Sequence, residues 1–277
     1  MNTFSANAST HHDIDYLDGT DYADDKDRLD VHMPQGATNA PVLVFFHGGA
    51  LMLGDKSLVD VVAERMLPLG IGVVAPNYRL SPAVQHPAHA EDAAAALAWT
   101  IANIADYGGD PEQVFVAGHS AGAYLAALLT LDASYVARHG LTHDVIAGAI
   151  LISPFLYVEE TAKDRDKTVW GSNPDDWLAA SVTPHISAGK APMLLQYADG
   201  DEQWRKDQNE RFVQQMQAVG NTSVQAHELP DRDHRTLISR ITEASDQIGI
   251  QVREFINLLP LPSDLSQSNA RLSTHLQ

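Results

Sequence analysis

The feature that most constrains this chain is the stretch from residue 114 to residue 131, which reads VFVAGHSAGAYLAALLTL. Its first four residues, 114–117, form a short apolar run typical of a strand buried on both faces. Residues 118–122 (GHSAG) follow without a spacer, and the Ala- and Leu-rich residues 123–131 favour a helix. A strand, a sharp turn and a helix with a serine at the apex is the context in which Ser120 would be exposed as a nucleophile.

The small residues around Ser120 support the same interpretation. Ser120 must hold strained backbone angles to project its hydroxyl above the sheet edge, and Gly118 and Gly122 leave room for strand and helix to approach. The turn also puts the Ala121 N–H at the positive end of the helix, where a developing oxyanion is stabilised. We therefore predict that Ser120 is a nucleophile and that Ala121 contributes to an oxyanion hole.

A second glycine cluster follows the apolar residues 42–46 and begins with His47, Gly48 and Gly49. A tetrahedral intermediate needs two or more N–H donors at its oxygen, and glycines let the backbone turn these donors inward without side-chain obstruction. The sequence predicts that Gly48 and Gly49 complete the oxyanion hole with Ala121, as loops of the His-Gly-Gly type do. His47 is expected to shape the loop by hydrogen bonding and is not assigned as a base.

The composition argues against several function classes. The chain has no cysteine, which excludes disulfides, thiolate metal sites and a cysteine nucleophile. Its net charge of −18 argues against nucleic acids and anionic membranes as partners. No run of about 18 apolar residues occurs, and the polar residues 1–16 contain no apolar signal core. We expect no membrane span and a cytoplasmic location, and the sequence is compatible with a homo-oligomer.

Alternating apolar strands and helical segments predict an α/β fold with a mostly parallel sheet flanked by helices, covering residues 29–260. The charged residues 1–28 are expected to cover the surface or to be partly mobile, with residues 28–34 as an early strand at the sheet edge. Residues 155–187 depart from the alternation, which predicts either a lid-like insertion or a surface excursion packed on the core. Residues 261–277 form a polar tail.

Two helical predictions bear on the cavity and on the end of the domain. An amphipathic helix is predicted over residues 57–69, with Leu58 and Met66 among the residues on its buried side. A second helix, over residues 238–259, is predicted to close the domain.

Two late strands are each followed by polar residues that suit catalysis. Residues 192–197 lead to Asp199 and Asp201, and residues 222–229 lead to His234. Enzymes with a serine at a strand-to-helix turn of this kind present serine, then an acid, then histidine, each on a loop after a strand. His234 is therefore the predicted base.

Three aspartates are candidates for the acid that orients His234. Asp201 is favoured over Asp199 because it lies further along its loop, where the chain can turn back toward the histidine. Asp233 adjoins His234 and would have to fold back on its own neighbour, so it ranks below both. The residues alone therefore leave Asp199 and Asp201 as competing candidates.

From about residue 30 to residue 256 the sequence resembles α/β-hydrolase esterases of the carboxylesterase, feruloyl-esterase-like and kynurenine-formamidase-like branch, related to the hormone-sensitive-lipase type. The motifs that carry the resemblance are His47-Gly-Gly-Ala, NYRLSP at residues 77–82, YGGDP at residues 107–111, the GHSAG turn and residues 229–234. In this family's acid loop the triad aspartate stands three positions after a glycine. Ala198 occupies that glycine position here, so the resemblance implies Asp201.

Two positions depart from the family patterns. Ala50 and Leu51 stand where formamidases of this type usually carry an aromatic pair, which weakens that assignment. His119 stands where lipase-type members usually have an aspartate, which places the chain nearer the feruloyl-esterase-like branch.

The resulting prediction is a serine carboxylic-ester hydrolase that acts on small to medium esters through an acyl-enzyme. Ser120, Asp201 and His234 form the predicted triad, and no metal or cofactor is required. An arylformamidase or amidase with the same triad is the alternative among enzymes. A non-catalytic receptor-like protein is the alternative outside them.

Overall fold

Short apolar runs form the centre of a sheet in the computed structural model, which describes residues 8–17, 19, 22–164 and 167–259. Predictions for residues 1–7 and 261–277 lie outside the described residues. Within them, the strands are β1 (Ala8–Asp15), β2 (Arg28–Pro34), β3 (Ala40–Phe46), β4 (Gly72–Pro76), β5 (Gly109–His119), β6 (Gly148–Ile152), β7 (Met193–Ala198) and β8 (Val224–Leu229).

The strand order across the sheet is β1-β2-β4-β3-β5-β6-β7-β8. β2 pairs antiparallel with both β1 and β4, whereas every pairing from β4 to β8 is parallel. The carboxyl ends of β3, β5, β6, β7 and β8 therefore lie along one edge of the sheet, where ligand sites of open α/β sheets form. The predicted fold class is confirmed.

Helices cover both faces of the sheet because alternate residues of a buried strand point in opposite directions. One apolar cluster contains Val44 and Val116 with the helices that follow β4 and β5, and the other contains Phe45 and Phe115 with the last helix. The helices are α1 (Asp60–Met66), α2 (Ala88–Asn103), α3 (Ala121–Leu131), α4 (Ala133–Ala137), α5 (Val158–Thr161), α6 (Lys167–Trp170), α7 (Pro174–Ala180), α8 (Gln203–Ala218), α9 (Thr236–Ser239) and α10 (Ile248–Leu258).

The edge of the sheet lies one strand earlier than the sequence predicts. β2 was expected at the edge, and this expectation is wrong, because β1 pairs with it antiparallel from Ala8↔Pro34 to Asp15↔Arg28. β1 is rich in polar side chains that are half-buried or exposed. An edge strand needs one hydrogen-bonded neighbour and little apolar surface, so hydrophobic periodicity did not reveal it.

The two helical predictions need correction. The segment before β4 consists of a 3₁₀ turn at Lys56–Val59, α1 and a second 3₁₀ turn at Leu67–Leu69. Leu58 is 54% exposed instead of buried, although Met66 lies in the core.

The closing helix is also divided, into α9 and α10. The Asp246 carboxylate accepts a hydrogen bond from the Gly249 N–H, which satisfies a free donor at the start of α10. A continuous helix over residues 238–259 is therefore wrong, since a polar turn restarts the helix at Ile248.

Residues 155–187 contain the short helices α5, α6 and α7. Trp170 is buried and packs edge-on against Tyr124 of α3, with ring centroids 5.5 Å apart. Near the start of this segment, Glu160 and Thr161 line a cavity that Ser120 also borders. The segment thus packs on the core and also reaches the cavity, and its function as a lid remains a prediction.

Candidate active site

A cavity of approximately 1200 Å³ opens at the carboxyl ends of the parallel strands. Ser120 and His234 line it, together with Gly48 and Gly49 from the loop after β3. The apolar side chains Leu53, Leu58, Val61 and Ile238 also contribute to its wall. Four sequence-predicted site residues therefore border one cavity.

Ser120 lies between β5 and α3 in a strained backbone conformation, with φ 54° and ψ −113°. Its N–H donates to the Ile152 carbonyl of β6 (2.8 Å), which fixes the turn against the neighbouring strand. A side chain at Gly122 would collide with the backbone carbonyl of Phe46 at the end of β3. Only glycine therefore allows α3 to approach β3 this closely beside the turn that carries Ser120.

Ser120, His234 and Asp201 form a continuous hydrogen-bonded series. The Ser120 hydroxyl donates to His234 Nε2 (3.0 Å), and His234 Nδ1–H donates to Asp201 Oδ1 (2.9 Å). His234 is 114 positions from Ser120 and 33 from Asp201 along the chain, so the fold alone creates both contacts. The arrangement has the geometry in which an oriented imidazole accepts a proton from a serine.

Asp201 is 7% exposed and remains an acceptor. Burial by itself raises the pKa of its carboxyl. The carboxylate accepts hydrogen bonds from His234, the Ala198 N–H (2.9 Å) and the Ser153 hydroxyl (2.8 Å), and these lower the pKa. The hydrogen bonds outweigh burial, so the pKa lies below the usual value for an aspartate. The carboxylate is therefore ionised at neutral pH and can stabilise a positive charge on the imidazole.

The two competing aspartates contact backbone instead of the histidine ring. Asp199 accepts hydrogen bonds from the N–H groups of Asp231 and Arg232, each at 3.1 Å, and these bonds lower its pKa. It therefore holds the loop that carries His234.

Asp233 turns toward the next helix. Its carboxylate accepts bonds from the N–H groups of Arg235 (2.9 Å) and Thr236 (2.8 Å). Among the described residues, Asp201 is the carboxylate that contacts the imidazole, and Asp199 and Asp233 contact backbone N–H groups.

The loop after β3 brings Gly48 and Gly49 to the cavity beside Ser120. Gly49 has φ 129°, and a side chain there would collide with the Leu53 carbonyl. His47 Nδ1–H donates to the Gly48 carbonyl (2.8 Å). The loop thus needs glycine for its backbone path, and Ala121, the third predicted oxyanion donor, is the first residue of α3, directly after Ser120.

Contacts between His47 and Tyr78 stabilise this loop. Their rings stack with centroids 4.3 Å apart, and the Tyr78 hydroxyl donates to the His47 carbonyl (2.8 Å). Burial lowers the pKa of His47 to about 4, so the ring is neutral at neutral pH. The structural assignment of His47 agrees with these contacts.

Three residues near the triad were not predicted as functional from the sequence. His119 Nε2–H donates to the His234 carbonyl (2.8 Å) and joins the GHSAG turn to the histidine loop. Ser153 lies within hydrogen-bonding distance of both Asp201 and His234. Arg205 Nε lies 3.7 Å from Asp201 Oδ1. One signal for Ser153 was available, since it is a polar residue immediately after the buried strand β6.

A group of metal-type ligands among the described residues does not line this cavity. The ligand atoms of Asp30, His32 and Asp60 fall within 4.8 Å of one another. The Lys56 ammonium lies 2.6 Å from Asp30 Oδ1 and supplies positive charge at the same place. Ser120, His234 and Asp201 are not part of this group of possible metal ligands.

Comparison with protein families identifies the fold and its relatives. Residues 43–238 match the model of a family described as having the alpha/beta hydrolase fold. The chain belongs to this α/β-hydrolase family. The predicted resemblance to α/β-hydrolase esterases is thereby confirmed.

Curated relatives of this α/β hydrolase include esterases of Mycobacterium tuberculosis. The chain is 28% identical to Esterase LipQ over 235 residues, which is 79% of this chain and 56% of LipQ. It is 31% identical to the Probable carboxylic ester hydrolase LipM over 214 residues, which is 70% of this chain and 49% of LipM. The chain thus spans about half the length of these relatives.

A solved structure of Thermogutta terrifontis esterase 2 phosphonylated by sarin has the same fold. It superposes with a TM-score of 0.71 at 22% identity and covers 89% of this chain and 91% of that chain. In the part of this α/β hydrolase that the structure describes, no helix combines the length and apolar character needed to cross a membrane.

Proposed function

We propose that this α/β hydrolase is a serine esterase that cleaves small to medium carboxylic esters through an acyl-enzyme intermediate. The observation that carries the proposal is the hydrogen-bonded series from Asp201 through His234 to Ser120, which ends in a cavity of approximately 1200 Å³. A cavity of this size exceeds the volume range of many small-molecule sites, so it has room for the acyl and alcohol parts of such an ester.

The proposed reaction has two stages that use the same three side chains. Ser120 Oγ attacks the ester carbonyl while His234 Nε2 accepts the hydroxyl proton, and the protonated His234 then donates that proton to the departing alcohol. A water molecule, activated by His234, attacks the acyl-serine and releases the acid. Asp201 keeps the imidazole in the tautomer that exposes Nε2 to Ser120.

The N–H groups of Gly48, Gly49 and Ala121 are the proposed oxyanion donors. The tetrahedral intermediate places a negative charge on the former carbonyl oxygen, and each donor of this kind contributes about 3 kcal/mol to transition-state stabilisation. The closeness of Gly48 to the nucleophile supports this assignment, since a Cβ atom added at Gly48 would lie 3.5 Å from the Cβ atom of Ser120.

The relatives support the choice of ester chemistry over amide chemistry. LipQ is named an esterase and LipM a probable carboxylic ester hydrolase. The solved esterase that is phosphonylated by sarin suggests an organophosphorus compound as a probe for this chain.

A variant of the nucleophile tests the proposal most directly. Ser120→Ala should fold normally and lower kcat toward a p-nitrophenyl ester by about 10⁶-fold, because members of such a triad act as a unit. A fluorophosphonate probe should add one label to the unaltered chain and none to Ser120→Ala, as measured by intact mass.

The control and the contradicting outcomes are equally direct. Ser181→Ala removes another buried serine and should keep both activity and labelling. Near-normal turnover by a folded Ser120→Ala variant would end the triad proposal. Absence of labelling in the unaltered chain would favour a non-catalytic receptor, and preferential cleavage of N-formylkynurenine would favour a formamidase.

A second variant tests the oxyanion hole. Gly49→Val should lower kcat by about 100-fold with a smaller effect on KM, because it displaces a donor that acts in the transition state. Gly140→Val is the matched control, since Gly140 also has a positive φ but no atom within 4 Å of an added Cβ. A rise in KM alone for Gly49→Val would show that the loop binds the ground-state substrate instead.

A further inference from the structure

Ser153 follows β6 directly and is completely buried. Its backbone has φ 48°, a left-handed conformation that is unfavourable for a serine. Its N–H donates to the Gln196 carbonyl of β7 (2.7 Å), and its carbonyl accepts from Arg205 Nη1 of α8 (3.1 Å). Contacts with two neighbouring elements therefore hold Ser153 in a conformation that costs energy. Such strain is concentrated at functional sites.

The Ser153 hydroxyl contacts both partners of the acid–base pair. It donates to Asp201 Oδ2 (2.8 Å), and its oxygen lies 2.9 Å from His234 Nδ1. A hydroxyl has one proton and two lone pairs. Because the proton is directed to Asp201, the oxygen is an acceptor toward His234, and the Nδ1–H is shared between Asp201 Oδ1 and Ser153 Oγ.

This arrangement fixes the carboxylate as well as the imidazole. Asp201 Oδ2 is held by Ser153 and by the Ala198 N–H (2.9 Å), which leaves Oδ1 to face the imidazole. Without the hydroxyl, the carboxylate loses one of these two bonds and can rotate. The imidazole also loses an acceptor at the moment when it gains a positive charge.

We propose that Ser153 is a positioning residue for the triad, whose hydroxyl orients the Asp201 carboxylate and accepts a share of the His234 Nδ1–H. The inference rests on the proposed esterase function. Ser153 contacts no reacting atom, and the proton still moves from Ser120 Oγ to His234 Nε2. Its hydroxyl acts only through the two residues that it touches.

The first test compares two variants that lack the hydroxyl but differ in backbone preference. Ser153→Ala keeps the strain of a positive φ, whereas Ser153→Gly relieves it. If the hydroxyl, and not the backbone conformation, is what the triad needs from Ser153, both variants should lose roughly 10- to 100-fold in kcat, the usual cost of removing a residue that orients a catalytic group. KM should change less than about twofold. Ser181→Ala, with a buried hydroxyl that contacts the Leu156 carbonyl, is the matched control and should keep its kcat.

The second test observes the shared proton and does not depend on turnover. The His234 Nδ1–H should give a far-downfield proton NMR signal that disappears in His234→Gln. Its position should change in Ser153→Ala and Ser153→Gly and stay unchanged in Ser181→Ala. This signal responds to hydrogen bonding at Nδ1, which general loosening of the core would not shift selectively.

The outcomes separate this inference from the proposed function. Full activity of Ser153→Gly, with Ser153→Ala impaired, would overturn it and assign the residue a backbone role. An Nδ1–H signal unchanged in both variants would also overturn it. If the unaltered chain cleaves no ester, the proposed function fails, and the NMR comparison still decides whether Ser153 positions the pair.

Discussion

Two regions meet at the Ser120 hydroxyl and are built in different ways. The nucleophile region, residues 46–49 and 114–131, is apolar, and every residue of α3 is buried. The histidine region, residues 199–202 and 230–236, contains many exposed residues and is held mainly by carboxylates that accept backbone N–H bonds. One region positions its residue by close packing, and the other does so by polar contacts.

The difference shows how each side of the site can fail. Close packing tolerates little added volume, because an interior at native density cannot absorb an extra methyl group without moving. Polar contacts tolerate changes of shape but depend on the charge of each acceptor. We therefore expect steric changes to disable the nucleophile region and charge changes to disable the histidine region.

Among the variants that compare the two regions, the loss of charge at Asp201 should have the largest effect. Asp201→Asn should lower kcat by on the order of 10³ or more, because the amide no longer fixes the tautomer of His234. Asp199→Asn is the matched control on the same loop and should cost less than about tenfold, since it supports the backbone and not the imidazole. The measurement is kcat toward one activated ester, with circular dichroism to confirm folding.

The reverse pattern would exchange the roles of the two aspartates. A loss below about tenfold in both variants would place the acid elsewhere, and Asp233 or Glu202 would need examination.

The next effect is steric. Gly122→Ala places a methyl group against the Phe46 carbonyl, which we expect to lower the free energy of unfolding by about 3 kcal/mol. Displacement of the Ser120 turn by even about 1 Å should lower kcat by about 100-fold.

The control for Gly122 is a glycine with open space around it. Gly140→Ala, at φ 72°, meets nothing within 4 Å and should cost only about 1 kcal/mol for its backbone conformation. Thermal unfolding and kcat check both variants. Equal effects at the two glycines would show that close packing does not position the nucleophile region.

The smallest effect is the pH dependence of stability, because His47 in one region and Asp199 in the other should change the stability of the fold over different pH ranges. Burial lowers the pKa of His47 to about 4, whereas an unfolded histidine has a pKa of about 6.5. Between these values the unfolded chain binds more protons, so acidification destabilises the fold, with His47 contributing at most about 1.4 kcal/mol per pH unit. The hydrogen-bonded Asp199 carboxylate has a lowered pKa, so its stabilisation is complete above about pH 3.9 and is lost below that value.

Variants in each region check this separation. His47→Phe keeps an aromatic ring against Tyr78 and should reduce the pH dependence of thermal unfolding between about pH 6.5 and 4. Asp199→Asn should leave that window unchanged and alter stability only below about pH 3.9. An unchanged pH dependence in His47→Phe would contradict the assignment of acid sensitivity to the buried imidazole.

Local sequence patterns were sufficient for much of the nucleophile region. The apolar run, the GHSAG turn and the helix formers are contiguous, and Gly118 has a local steric reason, since a Cβ atom there would collide with Gly122. The order of strands and helices was equally readable, because buried parallel strands are apolar along their whole length. These patterns predicted the α/β fold and the residues that the cavity brings together.

Hydrophobic periodicity was insufficient where polar contacts form the structure. β1 has no apolar pattern and becomes a strand because β2 offers it a hydrogen-bonding edge. The division between α9 and α10 depends on Asp246, whose partners include Arg65, 181 positions away in the chain.

Sequence alone determined the identity of the fold and the candidate serine, histidine and glycines, because each lies in a short pattern with its own physical reason. The residues favoured Asp201 over Asp199 and the family resemblance implied it, but only the tertiary structure shows its contact with the His234 ring, because both aspartates fit the same loop. The tertiary structure also places the Ser153 hydroxyl in contact with both Asp201 and His234, which lie 48 and 81 positions away in the chain. Contacts over such separations depend on strand order and on backbone angles such as the positive φ of Ser153, which no local pattern specifies.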